Sequence, residues 1–282
     1  MAERRLRAGS ATDVGLKRQR NEDSVLMRPE AGLWAVADGM GGHGGGDVAS
    51  RMAVDSLARF VEGETAAERL ATLERAVIAA NNAMRAYAKA HGRAVMGTTL
   101  VALLASQEHF AVLWCGDSRA YLLRDATLTQ LSQDQTLVAK LVSDGTLTQE
   151  EADHSPMHNV ILQALGTSAN FKPLIGSQGL PLQQGDIFIL CSDGVSNLVP
   201  DVRLAEMASR LPPQEACQAI IEAALAAGGN DNASLGVFSV CAPAEPDTTA
   251  KPTTRRIKIP APAAGPQNRS AGSAGNSASG NS

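Results

Sequence analysis

No run of apolar residues in this 282-residue chain approaches the ~18 that a membrane span requires, so no transmembrane segment is expected. The N-terminus, MAERRLRAGS, lacks the apolar stretch of a signal peptide, which points to a cytoplasmic protein. A basic excess is missing too. Against 29 Asp and Glu stand 25 Lys and Arg, a formal net charge of -4, and nucleic acid is thereby excluded as the main partner. Four cysteines, Cys115, Cys191, Cys217 and Cys241, lie far apart with no CxxC pair, so most read as small buried apolar residues, not as disulfide or zinc partners. There is no internal repeat. What is present, 44% hydrophobic residues with 19% charged, suffices for a globular core.

Residues 1–241 read as one domain and residues 242–282 as a tail. The tail is rich in Pro, Ala, Gly and Ser and is expected to be disordered, because it has too little apolar surface to offset the entropy of ordering. Its one interruption is Thr253–Ile259, read as a solvated linker, with a docking or phosphorylation site as the alternative. Within the domain, apolar β-prone runs predict strands at SVLM, LWAVA, TTLVALLA, HFAVLWC and AYLLR, then at DIFILC and LGVFSVC, with hairpin-length turns between several of them. Antiparallel sheets fit best. Helices are predicted at about 46–61, 66–90 and 213–227. In the second, apolar residues at Ala66, Leu70, Leu73, Val77, Ala80, Met84 and Tyr87 recur every three or four positions and draw one core-facing stripe. The combination is an α+β layered domain.

Four aspartates end apolar runs beside a glycine or a small turn: Asp38 in LWAVADGMGG, Asp117 in FAVLWCGDSRAYLL, Asp193 in DIFILCSDGVSN and Asp231 in GGNDNASLGVFSV. A carboxylate there projects from a sheet's edge, and several converging would repel one another unless cations lay between them. An all-oxygen cluster suits hard ions such as Mg2+ or Mn2+. Asp-Gly is also a common hairpin turn, and any one of these motifs alone reads that way. Asp144-Gly145, which follows the helix-like LVAKLVSDG, is set aside as such a turn. Joint occurrence with Asn21-Glu22-Asp23, just ahead of SVLMR, favours the metal reading for the rest.

The ordered set Arg18-x-x-Asn21-Glu22-Asp23, Asp38-Gly39-Met40-Gly41-Gly42-His43, Gly97-Thr98-Thr99, Gly116-Asp117-Ser118-Arg119, Ser192-Asp193-Gly194 and Gly228-Gly229-Asn230-Asp231-Asn232 resembles the bacterial branch of the protein phosphatase 2C family, metal-dependent protein serine/threonine phosphatases. The match runs from about Arg7 to about Val240. It implies a four-layer αββα sandwich, two antiparallel sheets flanked by helices, with two Mn2+ or Mg2+ ions at one end and a third held weakly. By this resemblance Asp38 bridges the two ions and Gly39 offers its carbonyl to one. Asp193 and Asp231 complete one shell, Glu22 belongs to the other, and Asp117 with Asp193 holds the third ion. Asp23 and Asn232 act behind the ligands. Arg18 is the phosphate clamp, since a guanidinium's paired donors match phosphate oxygens and stay charged. Lys17 and Arg20 compete with it in the same basic run. Thr98 and Thr99 either bond the ligand carboxylates or simply pack.

Hydrolysis then needs no protein nucleophile, because two such cations can activate water. Two departures stand out. Eukaryotic members carry a histidine, proposed as general acid, where this chain has Met40, so the acid is unassigned; His43 either reaches the cleft or caps the next helix. Relatives often read Asp-His or Asp-Asp where this chain has Gln133-Asp134-Gln135, at the start of the segment, about Ser132 to Pro173, that forms a flap in bacterial relatives. His154 and His158 within it, with His91 and His109 outside it, read as surface or packing residues. The expectation is a monomeric enzyme acting on phosphoproteins and opposing a serine/threonine kinase. A phosphoprotein-binding pseudoenzyme is disfavoured by the full carboxylate set, and a phosphodiesterase or nuclease by the absent basic stripe.

Overall fold

Between Leu33 and Ala37 the buried side chains alternate: Leu33, Ala35 and Ala37 join a core shared with two helices, whereas Trp34 and Val36 join a core shared with a second sheet. This period of two is what a strand buried on both faces imposes, and it sets up every layer of the molecule. The computed structural model describes residues 5–41, 44–59, 63, 65–92, 96–157 and 159–241. His43, His158 and the predicted tail with its Thr253–Ile259 segment lie outside the described residues.

The first sheet runs in the order β1 (Arg5–Asp13), β11 (Ala233–Cys241), β10 (Ile187–Cys191), β7 (Arg119–Arg124) and β8 (Thr127–Gln130). The second runs β2 (Asp23–Arg28), β3 (Leu33–Met40), β5 (Leu100–Ala105), β6 (His109–Cys115) and β9 (Leu174–Pro181), and the two-residue β4 (Gly97–Thr98) also pairs with β3. All these pairings are antiparallel. The predicted strand TTLVALLA is thus divided, because Thr99 leaves the ladder between β4 and β5.

Helices α1 (Gly46–Ala58) and α2 (Ala66–Ala90) cover the second sheet, with Ala53, Leu57, Leu73, Val77 and Met84 packed on Leu100, Ala102 and Leu113. The α2 stripe is buried from Leu70 to Met84; Ala66 at its start is exposed and Tyr87 only partly covered. A capping box at Thr65 and Glu68 starts that helix by satisfying its first backbone donors. Two small helices, α3 (Leu137–Ser143) and α4 (Gln149–Asp153), lie in the 132–173 segment. On the far side, the one-turn α5 (Asp193–Ser196), α6 (Asp201–Arg210) and α7 (Pro213–Ala226) cover the first sheet, with Leu204, Cys217 and Ile220 against Tyr121, Ile189 and Val237. Between the sheets the aromatic pairs Trp34–Phe238 and Phe110–Phe188 meet at centroid distances of 4.4 and 4.8 Å. The layers are helix, sheet, sheet, helix.

All four cysteines are free, three of them buried, and burial pushes the Cys191 and Cys217 thiols up to about 12. Such thiols pack as apolar side chains and are inert.

Candidate metal centre

The sandwich brings its acidic strand ends together. Asp38 lies near the end of β3, and Asp23, opening β2, stands directly opposite it in the ladder. Asp193 starts α5 just past β10, Asp231 precedes β11, and Asp117 sits in the turn between β6 and β7. Asp38, Asp193 and Asp231 line one cavity of about 470 Å³, together with Glu22, Arg18 and the backbone of Gly39. Asp193 also lines a second cavity of about 900 Å³ next to it, which Asp117 borders.

The electrostatics show how tightly the charges are held. Burial raises the Asp38 carboxyl well above its usual value, and the fields of Asp23, Asp193, Asp117 and Asp231 raise it further. Asp23 and Asp117 are each pushed up to about 7, chiefly by desolvation, with Asp193 adding to both. Desolvation and then Asp231 raise Asp193, whose carboxyl is close enough to Asp38 for a hydrogen bond. Glu22 is raised by desolvation and by Asp47, while the Gly46 amide, by favouring the charged form, pulls it back down. One oxygen each of Asp23, Asp117 and Asp193 (Oδ1 in all three) is buried without a hydrogen-bond partner. Buried polar atoms normally find partners, so these are exceptions that call for a cation or a proton. Among the described residues no three carboxylate, imidazole or thiolate groups enclose a single point.

Neighbouring groups fix the ligand-bearing segments through backbone contacts. Asn232, 5% exposed, accepts a hydrogen bond from the Glu22 amide (2.8 Å) and donates to the carbonyls of Val14 and Arg20 (2.9 Å each), pinning the 14–22 loop onto the root of β11. Thr98 and Thr99 bond the Asp38 backbone, not its carboxylate. Thr98 Oγ1 donates to the Asp38 carbonyl at 2.8 Å, and Thr99 Oγ1 accepts from its amide at 3.0 Å. Ser192 Oγ donates to Asp23 Oδ2 at 2.8 Å, which joins the start of β2 to the end of β10. The glycines make room: a Cβ on Gly194 would lie 2.0 Å from the Asn232 carbonyl oxygen.

Arg18 reaches the cavity. Its Nη2 lies 2.6 Å from Asp231 Oδ2, and this contact, the largest cause, raises its pKa further. Arg20 lines the same cavity although its side chain is exposed, and Lys17 does not. Met40 lines it too; none of the residues described there is a histidine. His154 is exposed and contacts the Glu150 carbonyl, His91 stacks on Tyr87 at 3.9 Å, and His109 is exposed. Sequence reasoning met Arg119 and Asp134 only within motifs, without a role, and did not reach Asn159. Arg119 grips Asp134, Nε at 3.0 Å from both oxygens and Nη2 at 2.6 Å from Oδ2, so the residue after Asp117-Ser118 ties the 132–173 segment to β7. Asn159 and Asp193 are the residues that border both cavities.

Comparison with known proteins points the same way. The model of the family described as protein phosphatase 2C matches residues 16–227. Serine/threonine protein phosphatase PstP of Mycobacterium tuberculosis is 40% identical over 236 residues, 83% of this chain and 45% of that protein, so the chain spans about half the length of this relative. The crystal structure of the M. tuberculosis phosphatase PstP/Ppp superposes with a TM-score of 0.79 at 39% identity, covering 84% of this chain and 99% of that one. A PstP catalytic domain in complex with two manganese ions gives a TM-score of 0.76 at 38% identity, with coverage of 84% and 99%.

Proposed function

The chain belongs to the protein phosphatase 2C family, and from that premise we propose that it hydrolyses phosphoserine and phosphothreonine in proteins, using two Mn2+ or Mg2+ ions and a weaker third. The observation that carries this reading is the set of three buried carboxylate oxygens without partners where five acidic strand ends converge. Asp38 with the Gly39 carbonyl would serve the pair of ions, Asp193 and Asp231 would hold one of them and Glu22 the other, and Asp117 with Asp193 would hold the third. The donor set fits: all oxygen and carboxylate-rich, as suits hard ions that keep several waters. When bound, such ions supply a nucleophile from water at neutral pH and neutralise phosphoryl charge.

The chain's own residues do the rest. Arg18, held at the rim by Asp231, presents a planar donor fork to the phosphoryl oxygens. Asn232 and Gly46 hold Glu22 from its amide and its carboxylate, and Ser192 orients Asp23. We assign the activity to residues 1–241, with 242–282 a tail. We also place the enzyme in the cytoplasm, as a monomer opposing a serine/threonine kinase. Relatives named as serine/threonine phosphatases support the phosphatase reading; no helix among the described residues is long and apolar enough to cross a membrane.

The test is release of phosphate from a phosphothreonine peptide, expected with Mn2+ and absent with excess EDTA; release that EDTA leaves untouched would overturn the reading. In the same assay Arg18→Ala should raise KM and lower kcat/KM by about 2 kcal/mol, with Arg18→Lys recovering only part, because lysine keeps the charge and loses the fork. If Arg18→Ala were silent, the clamp would lie elsewhere. Asn232→Leu should weaken Mn2+ binding about 10- to 100-fold by calorimetric titration, as expected when the group behind a ligand is lost. It should also destabilise the fold, since it orphans the Glu22 amide and two carbonyls at about 1–3 kcal/mol each. Unchanged Mn2+ affinity would show that the 14–22 loop holds Glu22 unaided.

A further inference from the structure

The larger cavity is more than the phosphoryl group requires. At about 900 Å³ it lies within the ~300–1,000 Å³ range of cavities that take a sizeable organic ligand, whereas the neighbouring 470 Å³ space already holds Arg18 and the metal carboxylates. The two spaces meet at Asp193 and Asn159. A substrate whose phosphate sits among Arg18, Asp38 and Asp231 therefore has room to continue past Asn159 into the larger one.

Away from the carboxylate cluster its lining carries no net charge. Arg119 and Asp134 border it, and their bidentate pairing cancels both charges; the remaining charged side chains there, Asp117 and Asp193, belong to the carboxylate cluster. Around them stand the side-chain amides of Gln130, Gln133, Gln149, Asn159 and Asn197. Each amide both donates and accepts, which matches the alternating donors and acceptors of an extended peptide backbone. One buried hydroxyl in this wall, Ser196 Oγ, has no partner. Opposite, α3 and α4 contribute Val138, Ala139, Val142 and Ala152, a small aliphatic wall. The wall is tied together and to the end of β6: the amides of Leu137 and Leu162 bond the carbonyls of Val160 and Gln135 at 2.8 Å each, and the Gln135 amide bonds the Gly116 carbonyl at 3.0 Å.

We propose that this cavity is a peptide subsite that binds the segment flanking the phosphorylated residue through its backbone and selects uncharged, aliphatic flanking side chains. It rests on the phosphatase reading and names the substrate class of that same site.

The test compares four substrates with the full-length, Mn2+-loaded protein: para-nitrophenyl phosphate and three phosphothreonine heptapeptides with valine, lysine or glutamate flanks. The valine peptide should exceed both charged peptides in kcat/KM by about tenfold, the discrimination that one apolar pocket contact provides. Val142→Trp, which fills the cavity from α3, should abolish that preference and raise KM for the valine peptide about tenfold while para-nitrophenyl phosphate changes less than about twofold. If Val142→Trp fails to fold, Gln133→Leu gives the same comparison on an exposed wall residue, with a smaller loss on peptides alone. Equal rates for the three peptides, or peptide and aryl phosphate falling in parallel in the variant, would overturn the subsite. Failure of the wild-type protein to hydrolyse even the aryl phosphate would instead sink the phosphatase reading, and the subsite with it.

Discussion

Replacing Asp38 by alanine should lower kcat on a small aryl phosphate by about a thousandfold or more, roughly 4 kcal/mol of barrier. Burial and the fields of Asp23, Asp193, Asp117 and Asp231 all raise Asp38, so its carboxyl sits among the other four. On the proposed metal site, removing it would take away a ligand and the charge that balances the cations. Asp193→Ala should come close behind, since Asp193 faces Asp38 and borders both cavities. Steady-state kinetics at saturating Mn2+ measure this, with circular dichroism as the control for folding. Near wild-type turnover in Asp38→Ala would show that the carboxylate cluster is not the catalytic centre.

Neutralising Asp38 should act in the opposite direction on the stability of the metal-free protein. Asp23 and Asp117 are raised from 3.8 to about 7, and Asp38 is raised as well, so the folded state binds more protons than the unfolded chain between about pH 4 and 7. Stability therefore falls as pH rises through that window, the reverse of a salt-bridged aspartate. In EDTA the melting temperature should drop from pH 5 to pH 8, and Asp38→Asn should flatten the drop. Saturating Mn2+ should remove it. A melting temperature that rises with pH in EDTA would contradict the burial and mutual repulsion that raise these carboxyls.

The parts of this molecule that are buried on both faces were legible in its sequence. β3, β5, β6 and β10 are built on apolar runs, β11 on one broken by Ser234, Gly236 and Ser239, and α2 shows its stripe from Leu70 to Met84. Of the four edge strands only β2 showed, as SVLM. β8 and β9 are largely exposed, and β1 carries RLRAGSATD, whose few apolar residues hide that it pairs along its whole length with β11. At an edge, backbone pairing holds the strand and side-chain pattern says little. α6 buries only Leu204, Met207 and Ala208, too few for periodicity to stand out. At the site, the acidic residues announced themselves by position after apolar runs. Asn159 and the Arg119–Asp134 pair did not, because their roles depend on a loop folding back from elsewhere in the chain.

Gly39→Ala should be nearly as damaging as loss of a carboxylate, although it removes no functional group. The Gly39 backbone lies outside the left-handed region, so alanine could adopt it; the obstacle is space. A Cβ there would stand 2.1 Å from the Gly46 carbonyl oxygen and 2.6 Å from that of Glu22. Both contacts are backbone, and neither can swing aside. The approach is reciprocal, since a Cβ on Gly46 would meet the Gly39 oxygen at 2.6 Å and the Glu22 carboxylate carbon at 2.7 Å. The end of β3, the start of α1 and the Glu22 loop thus pack backbone to backbone, and a methyl group must push two of them apart. A displacement of about 1 Å at a catalytic centre costs on the order of a hundredfold in rate. The variant should accordingly lose kcat/KM by about that factor or more and bind Mn2+ more weakly, with a lower melting temperature. Gly145→Ala supplies the contrast. It forces a non-glycine residue to φ +72° with nothing within 4 Å, so it should cost about 1 kcal/mol of stability and leave kinetics and Mn2+ titration unchanged. If the two variants lost activity in the same proportion as stability, the effect at Gly39 would be general destabilisation, and the close approach of β3, α1 and Glu22 would have no special part in positioning the site.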